Sequence, residues 1–126
     1  MAATTREQGQ YTESLACQYL EDKGLKLLER NYHCRFGEID LIMQQNNSIV
    51  FVEVRYRRSN NYGSGAESVT ANKQSKLIKT ASAYLQQHAK LNKYPARFDV
   101  ISITGSIDTD NIQNINFDWI ENAFGA

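Results

Sequence analysis

The stretch GEIDLIMQQNNSIVFVEVRYRR, residues 37–58, decides the fold because it reads as two apolar strands joined by a short polar turn. The turn residues Asn46 and Asn47 tolerate left-handed backbone conformations, which two-residue turns between antiparallel strands favour. Such a turn places Asp40 directly opposite Glu53, with Cβ atoms roughly 4.5–5.5 Å apart. A longer turn would shift this register. The sequence therefore predicts a β-hairpin that carries two neighbouring carboxylates.

The charges on this hairpin have two interpretations. Like charges side by side destabilise a sheet, and a divalent cation such as Mg²⁺ would offset the repulsion because hard cations bind carboxylate oxygens. Alternatively, the charges form salt bridges across a solvated sheet face, for example from Glu38 to Arg55, each contributing about 0–1 kcal/mol. Strand periodicity places Phe51, Glu53 and Arg55 on one face and the intervening valines on the other, which we expect to face the core.

The remaining sequence predicts one domain in which helices flank a mixed sheet, with a core at about residues 9–104 and an acidic segment at 105–126. Gly24 is the expected stop of the first helix, and Thr70 is the expected cap of the second. The predicted elements are, in order, a helix from Thr5 or Thr12 to about Lys23, strands at Leu25–Asn31, Glu38–Gln44 and Ser48–Arg55, a loop at 57–68, a helix at Thr70–Leu91, strands at Arg97–Ile103 and Ile112–Phe117, and a tail at Asp118–Ala126.

Length and composition limit the class of protein. The chain has 126 residues and is 41% hydrophobic, which suits one globular domain. No apolar run approaches a membrane span and the first residues show no apolar signal region, so we expect a cytoplasmic protein without a membrane partner. Cys17 and Cys34 are expected to be reduced thiols. His33 and Cys34 have no second pair at zinc-ligand spacing, which argues against a zinc site.

The net charge is zero, but the charges are segregated along the chain. Residues 1–54 hold 5 Lys or Arg against 8 Asp or Glu, residues 55–97 hold 9 against 1, and residues 98–126 hold 0 against 5. The basic middle block is typical of a segment that contacts a polyanion such as nucleic acid. A solvated basic helix face is the alternative interpretation.

Each predicted helix carries polar residues on its apolar side. Glu13 shares a stripe with Cys17 and Leu20, and burying it is costly without a partner. It either reaches solvent at the edge of the stripe or points to the same metal as the hairpin acids. Lys73 and Gln74 precede the apolar stripe of the second helix, where a helix N-terminus favours anions. A frayed polar first turn is the alternative.

Four motifs resemble, in order, those of the YraN-like family of small uncharacterised bacterial proteins. They are GQYTE at 9–13, GEIDLI at 37–42, FVEVRYR at 51–57 and TANKQSKL at 70–77. The resemblance covers about residues 9–103. That family is similar to the PD-(D/E)XK nuclease superfamily, especially to Holliday junction resolvases of the archaeal type. The resemblance implies a restriction-endonuclease-like α/β fold, in which helices flank a mixed central sheet.

The resemblance also assigns roles to individual residues. Asp40 and Glu53 match the metal-binding acids of the nuclease motif, and Glu13 matches the glutamate that resolvases carry on their first helix. Arg55 falls at the motif lysine. Gln74 lies where some members place a polar helix residue near the site. These residues are the expected catalytic and metal-binding set.

The activity implied is that of a Mg²⁺- or Mn²⁺-dependent endonuclease acting on DNA, with the backbone carbonyl of Val54 as a third metal ligand. Branched DNA as substrate and a homodimer as assembly follow from the resemblance alone. Arg55 would stabilise charge on the phosphate, but arginine stays charged and cannot serve as a general base. The residues expected to hold the DNA backbone are Arg57, Arg58, Lys73, Lys76 and Lys79.

Arginine at position 55 also favours a second hypothesis. A catalytically degenerate nuclease fold would bind nucleic acid, or a protein partner, without cleaving it. A third hypothesis is a structural interaction domain whose charges only form salt bridges. DNA cleavage separates the first hypothesis from the second, and salt-dependent DNA binding separates the second from the third.

Overall fold

The computed structural model describes residues 5–58, 69–105 and 115–125, which form two helices and a five-stranded sheet. The elements are α1 at Thr5–Asp22, β1 at Lys26–Cys34, β2 at Gly37–Gln45, β3 at Ser48–Arg57, α2 at Ala71–Gln87, β4 at Ala96–Thr104 and β5 at Asn116–Phe124. Most of the predicted loop, from residue 59 to 68, and residues 112–114 of the predicted fifth strand lie outside the described ranges.

The strands lie in the order β1-β2-β3-β4-β5. All neighbours pair antiparallel except β3 and β4, which run parallel and are connected through α2. A parallel pair needs such a crossover because its strands start at the same edge of the sheet. The result is a mixed five-stranded sheet flanked by two helices. This α/β fold is consistent with a restriction-endonuclease-like arrangement, so the predicted fold class is confirmed.

Each face of the sheet has its own hydrophobic core, because one helix packs on each face. The core beneath α1 contains Val50 and Val52 of β3, and the core beneath α2 contains Phe51. The prediction that the valine face is buried is confirmed. The opposite face is more apolar than predicted, since Phe51 is only 2% exposed. Charge on that face begins at Glu53, towards the end of the strand.

The turn between β2 and β3 has the predicted length. Gln45 pairs with Ser48, and Asn46 adopts a positive φ of 53°. The ladder continues in the predicted register as far as Leu41 opposite Val52. The assigned backbone pairing ends one pair short of the two acids.

A hydrogen bond to a side chain replaces the backbone pairing where that ladder ends. The backbone N–H of Val54 donates to Asp40 Oδ2 at 2.9 Å. In a continued ladder this N–H would have faced Ile39. The two central strands therefore separate at the acids, and Asp40 satisfies a backbone donor that would otherwise lack a partner.

Both helix boundaries follow local signals in the sequence. Gly24 ends α1 with a φ of 99°, and the N–H of Leu25 donates to the carbonyl of Leu20 at 3.0 Å, which satisfies one of the last helical carbonyls. Thr70 caps α2, because its side chain accepts from the N–H of Lys73 at 3.2 Å. These two predictions are confirmed. α2 ends at Gln87, earlier than predicted, and β1 extends further than predicted.

The prediction of a C-terminal tail from residue 118 is wrong. Residues 118–124 belong to β5, which pairs with β4 along the sheet edge. Alternate residues of β5 anchor it: Phe117 stacks on Tyr19 with ring centroids 4.6 Å apart, and Trp119 donates to the buried Asp99 at 2.9 Å. Phe124 stacks on Phe98 at 4.9 Å from the other face. The segment is a half-buried edge strand.

Two further observations concern helices and thiols. Among the described residues, no helix is long and apolar enough to cross a membrane. Cys17 is buried against α1 neighbours, Cys34 is half-buried, and both are free thiols.

Candidate functional site

Asp40 and Glu53 line one pocket, of about 270 Å³, between the separated ends of β2 and β3 and the first turns of α2. We call it the carboxylate pocket. The sheet supplies its acidic side and α2 supplies its basic side. Its lining residues are Gly37, Glu38, Asp40, Glu53, Thr70, Asn72, Lys73, Lys76 and Leu77.

The surroundings of Asp40 disfavour the charged form of its carboxyl group. Burial raises the pKa of its carboxyl from 3.8 to about 7, and the neighbouring carboxylate of Glu53 is the next cause. The hydrogen bond from Val54 and the ammonium of Lys73 act in the opposite direction. Because burial and Glu53 both disfavour the charged form of Asp40, a cation beside this carboxyl would stabilise that form.

Glu53 is 7% exposed, and two cations approach it. Lys73 Nζ lies 3.1 Å from Glu53 Oε1, and Arg55 Nε lies 3.8 Å from the same atom. The longer distance is an ion pair without a hydrogen bond, and Arg55 Nε is buried with no hydrogen-bond partner among the residues that the structure describes. Lys73 is therefore the closer partner of Glu53, although Arg55 is its neighbour in sequence. The position of Lys73 is fixed by the cap at Thr70.

Glu13 lies in a separate, neighbouring pocket. That pocket has a volume of about 380 Å³ and also contains Asn31, while Glu38 borders both pockets. Within the described part of the chain, Glu13 Oε1 is buried with no hydrogen-bond partner, and Arg30 Nη2 lies 3.7 Å away. Burial raises the pKa of Glu13, and the nearby carboxylate of Asp40 raises it further.

The predicted three-carboxylate metal set is not assembled in this geometry. Within the ranges that the structure describes, no group of three His, Cys, Asp or Glu residues could hold a metal ion. Asp40 and Glu53 line one pocket, Glu13 lines the neighbouring pocket, and Glu38 lines both.

Val54 and Gln74 have different positions relative to the pocket. The N–H of Val54 points to β2, and the carbonyl of a strand residue points to the same side as its N–H, so the predicted carbonyl ligand lies on the Asp40 side. Gln74 does not line the carboxylate pocket. Its side-chain amide donates to the carbonyl of Val69 at 3.0 Å, which fixes the start of α2. The structure thus uses the Gln74 side chain to tie the first turn of α2 to the residue before its cap.

The predicted DNA-contacting residues fall into two groups. Lys73 and Lys76 line the carboxylate pocket, and Lys79 lies one turn further along α2 beside a second groove. Arg57 is half-buried near the end of β3, and Arg58 is exposed just after it. Lys73, Lys76 and Lys79 form a basic strip along α2 that leads away from the acids, and we call it the lysine edge.

Three residues of the pocket carried no prediction of a site role beyond their local structure. Thr70 and Asn72 come from the start of α2, and Gly37 from the start of β2. A Cβ built on Gly37 would lie 3.3 Å from Thr80 Oγ1, so the backbone approaches α2 closely there. The glycine in GEID was the available signal, because a glycine beside functional residues often marks such an approach.

The residues present suit a hard divalent cation. The side-chain donors that line the pocket together are the carboxylate oxygens of Asp40 and Glu53, with no sulfur or imidazole among the described lining residues, and this is the donor chemistry that Mg²⁺ and Mn²⁺ prefer. Burial and the carboxylate of Glu53 raise the pKa of Asp40, and a cation bound beside it would act in the opposite direction.

The fold and the site define a class: an α/β protein with a mixed sheet whose central strands separate at two carboxylates, the half-buried Asp40 and the buried Glu53. The chain matches the Uncharacterised protein family UPF0102 over residues 12–103 and belongs to that family. This confirms the YraN-like family that the four motifs predicted.

Several relatives share this family name. A UPF0102 protein of Nitrosococcus oceani is 48% identical over 97% of this chain and 94% of its own length. One of Stutzerimonas stutzeri is 48% identical over 95% of this chain and 96% of its own. One of Vibrio parahaemolyticus is 50% identical over 94% and 92%. The similarity therefore spans nearly whole chains.

Proposed function

We propose that the protein is a Mg²⁺- or Mn²⁺-dependent DNA phosphodiesterase whose centre is the carboxylate pocket. The observation that carries the proposal is that the half-buried Asp40 and the buried Glu53 line one pocket at the point where two strands separate, with Lys73 in contact with Glu53. The resemblance of the motifs to PD-(D/E)XK nucleases supports the same reaction class. Branched DNA and a homodimer are further expectations from that resemblance.

The residues of the pocket would divide the work as follows. Asp40 and Glu53 bind the metal, and the N–H of Val54 fixes the orientation of the Asp40 carboxylate while its carbonyl offers a third oxygen. When bound, the ion polarises the scissile phosphate and lowers the pKa of a water molecule. Glu13, facing Asp40 from the adjacent pocket, orients water near the site.

Lys73 supplies from α2 the ammonium group that the nuclease motif would supply from position 55. The nuclease motif places a lysine at the position of Arg55, and a guanidinium remains charged at all accessible pH values. Lys73 reaches Glu53 from α2, and its ammonium can both contact a phosphate oxygen and exchange a proton with water. Arg55 keeps a purely electrostatic role towards the phosphate. The presence of Arg55 in place of the motif lysine therefore does not exclude turnover.

Cleavage of labelled DNA tests the proposal directly. Forked, four-way and linear substrates are incubated with the full chain in Mg²⁺, in Mn²⁺ and in chelator. We expect metal-dependent cleavage that Asp40→Asn and Glu53→Gln each reduce by at least about 100-fold. Asp118→Asn is the matched control, because Asp118 is an exposed acid on β5, two strands away from β3, and is not among the residues that line the pocket. Cleavage that persists in both site variants would overturn the proposal.

Metal binding can be tested without activity. Mn²⁺ at about 100 times its dissociation constant should stabilise the folded protein by about 2.7 kcal/mol, seen as a higher melting temperature. Asp40→Asn should abolish the shift, and Asp118→Asn should retain it. If the wild-type melting temperature does not respond to Mn²⁺ or Mg²⁺, the pocket does not hold a metal.

A second candidate function is DNA binding without cleavage. The observation in its favour is that Lys73 and Arg55 both approach Glu53, so the pocket already contains cations that compete with a metal. This function predicts salt-sensitive DNA binding that survives Glu53→Gln, with no cleavage of any substrate. Absence of both binding and cleavage would leave a structural interaction domain.

A further inference from the structure

A second surface feature lies next to the carboxylate pocket, at the turn between β1 and β2. Phe36 is 37% exposed, and among the described residues no other large hydrophobic side chain is exposed. The guanidinium of Arg35 lies 4.8 Å from the centroid of its ring. An aromatic ring held at the surface with a cation against it presents a flat, electron-rich face and a positive charge together.

This ring forms one wall of a groove against α2. The groove has a volume of about 430 Å³, and we call it the Phe36 groove. Its apolar lining includes Ile78 and Ala83, and its charged lining consists of Arg35 and Lys79. No acidic residue is among the described residues that line it. An occupant that suits it has an apolar or aromatic body and negative charge.

The Phe36 groove and the carboxylate pocket are adjacent. Gly37, which follows Phe36, lines the carboxylate pocket, and a Cβ built on it would lie 3.7 Å from Lys76 Cβ. Lys76 lines the carboxylate pocket while Lys79, one turn on, lines the groove. A chain of phosphates along this lysine edge would therefore pass from the acids to Phe36.

We propose that the Phe36 groove binds an unpaired nucleotide of the DNA strand whose phosphate lies in the carboxylate pocket. This inference rests on the proposed function and names its substrate class: DNA with unpaired bases beside the scissile phosphate, rather than continuous duplex. The base stacks on Phe36, because every base offers a π-face and stacking on an aromatic side chain is independent of sequence. Arg35 and Lys79 contact the flanking phosphates.

A nucleotide fits the lining better than a peptide segment does. A docking peptide would bury an apolar stripe. The groove instead combines the exposed ring of Phe36 with two cations, Arg35 and Lys79, and it adjoins the carboxylate pocket, where we propose that a phosphate binds. Duplex DNA keeps its bases stacked inside, so it could use the lysine edge but not the ring. Discrimination between unpaired and paired DNA is the property that the groove predicts.

The test compares the affinity of the metal-free full chain for forked DNA with single-stranded arms and for duplex of equal length. We expect Phe36→Ala to weaken binding of the fork by roughly tenfold and to leave duplex binding unchanged. Phe36→Leu should behave like Phe36→Ala, since it keeps apolar volume and loses the ring. Phe36→Trp should retain the preference. Phe36 is exposed at a turn, so the three variants should keep the wild-type melting temperature.

A fluorescent base, 2-aminopurine, in the unpaired arm gives a second readout. Its emission should be quenched on binding wild type and Phe36→Trp, and not on binding Phe36→Ala. Equal effects of Phe36→Ala on fork and duplex, or no effect on either, would overturn the inference. So would a change from dimer to monomer in Phe36→Ala by sedimentation, because the groove would then be a self-association surface.

The outcomes also separate this inference from the proposed function. If the fork preference depends on Phe36 but no metal supports cleavage, the groove stands and the phosphodiesterase proposal fails. If metal-dependent cleavage occurs with equal efficiency on fork and duplex and Phe36→Ala does not alter it, the phosphodiesterase proposal stands and the inference about the Phe36 groove fails.

Discussion

At the scale of single residues, the arrangement of Asp40 and Glu53 could be predicted from the sequence and the contact of Lys73 could not. The two-asparagine turn fixed the register, and the register placed both acids at one end of the hairpin. Lys73 reaches Glu53 only because α2 packs across β2 and β1, and helical periodicity does not specify such packing. The same reason explains Gln74, whose amide turned back to Val69.

The raised pKa of Asp40 predicts how stability depends on pH. The native state retains a proton that the unfolded chain releases above about pH 4, so stability falls as pH rises from about 4 to about 7 and is level above. Asp40→Asn removes this penalty and keeps an oxygen acceptor for Val54. We expect Asp40→Asn to be more stable than wild type at pH 8, by up to about 4 kcal/mol, and to differ little at pH 4.

Urea unfolding in chelator at the two pH values measures this effect. Asp118→Asn controls for the loss of one negative charge from the molecule. A difference between Asp40→Asn and wild type that is the same at pH 4 and pH 8 would show that Asp40 ionises normally in the folded protein.

The proposed role of Lys73 predicts a separation of charge from proton exchange. Lys73→Arg preserves a cation beside Glu53, so DNA affinity should stay within about threefold of wild type, while the cleavage rate falls by about 100-fold or more. Lys73→Met should lose both. Lys90→Met is the matched control, because Lys90 is exposed beyond the far end of α2. Full cleavage by Lys73→Arg would mean that Lys73 contributes charge alone.

At the scale of elements, the strongest local signals gave correct boundaries, whereas the fifth strand was predicted too early in the sequence, at Ile112–Phe117 instead of Asn116–Phe124. Gly24 and Thr70 mark helix ends by backbone and capping chemistry that acts within a few residues. The β5 segment contains acids and asparagines, and only alternate aromatic residues indicate a strand. Its stability comes from tertiary partners, chiefly the 1%-exposed Asp99 on β4.

Asp99 should be the anchor of that edge. Its carboxylate accepts hydrogen bonds from Arg97 Nε at 3.0 Å, from Trp119 Nε1 at 2.9 Å and from the N–H of Asn122 at 2.9 Å. Asp99→Ala leaves these donors without an acceptor, and we expect a loss of about 3–5 kcal/mol in the free energy of unfolding. Asp99→Asn should lose less, since it keeps one acceptor.

Chemical unfolding followed by Trp119 fluorescence measures this directly, because the reporter belongs to the element concerned. Glu121→Ala is a suitable comparison: Glu121 also pairs with Arg97, at 3.2 Å, but is 54% exposed. Its removal should cost about 0–1 kcal/mol. Equal losses in Asp99→Ala and Glu121→Ala would contradict the anchor role.

At the scale of the whole molecule, the segregation of charge along the sequence becomes a segregation in space. The acids of the β2–β3 hairpin and the lysines of α2 meet in one pocket, and the lysine edge continues past it. Charge counting could predict a basic surface. It could not predict that this surface begins at a pair of acids, because the pocket forms only when α2 crosses from β3 to β4 over the sheet.

The lysine edge predicts the salt dependence of DNA binding. Each phosphate contact contributes a slope of about −0.9 to a plot of log affinity against log salt concentration. Lys76→Gln and Lys79→Gln should each reduce the steepness by about one, and the double variant by about two. Titrations at several salt concentrations measure the slope. Lys90→Gln should leave it unchanged, and an equal effect of all three single variants would indicate diffuse attraction without a defined path.

The separation of β2 from β3 at the acids has a consequence for spectroscopy. The amide proton of Val54 is bonded to a carboxylate whose ionisation state is unusual, whereas its neighbours in the strand are bonded to peptide carbonyls. Its nuclear magnetic resonance should therefore move as Asp40 loses its proton, and shift again when an ion or a phosphate enters the pocket. One backbone signal would record the charge at the centre of the site without any label.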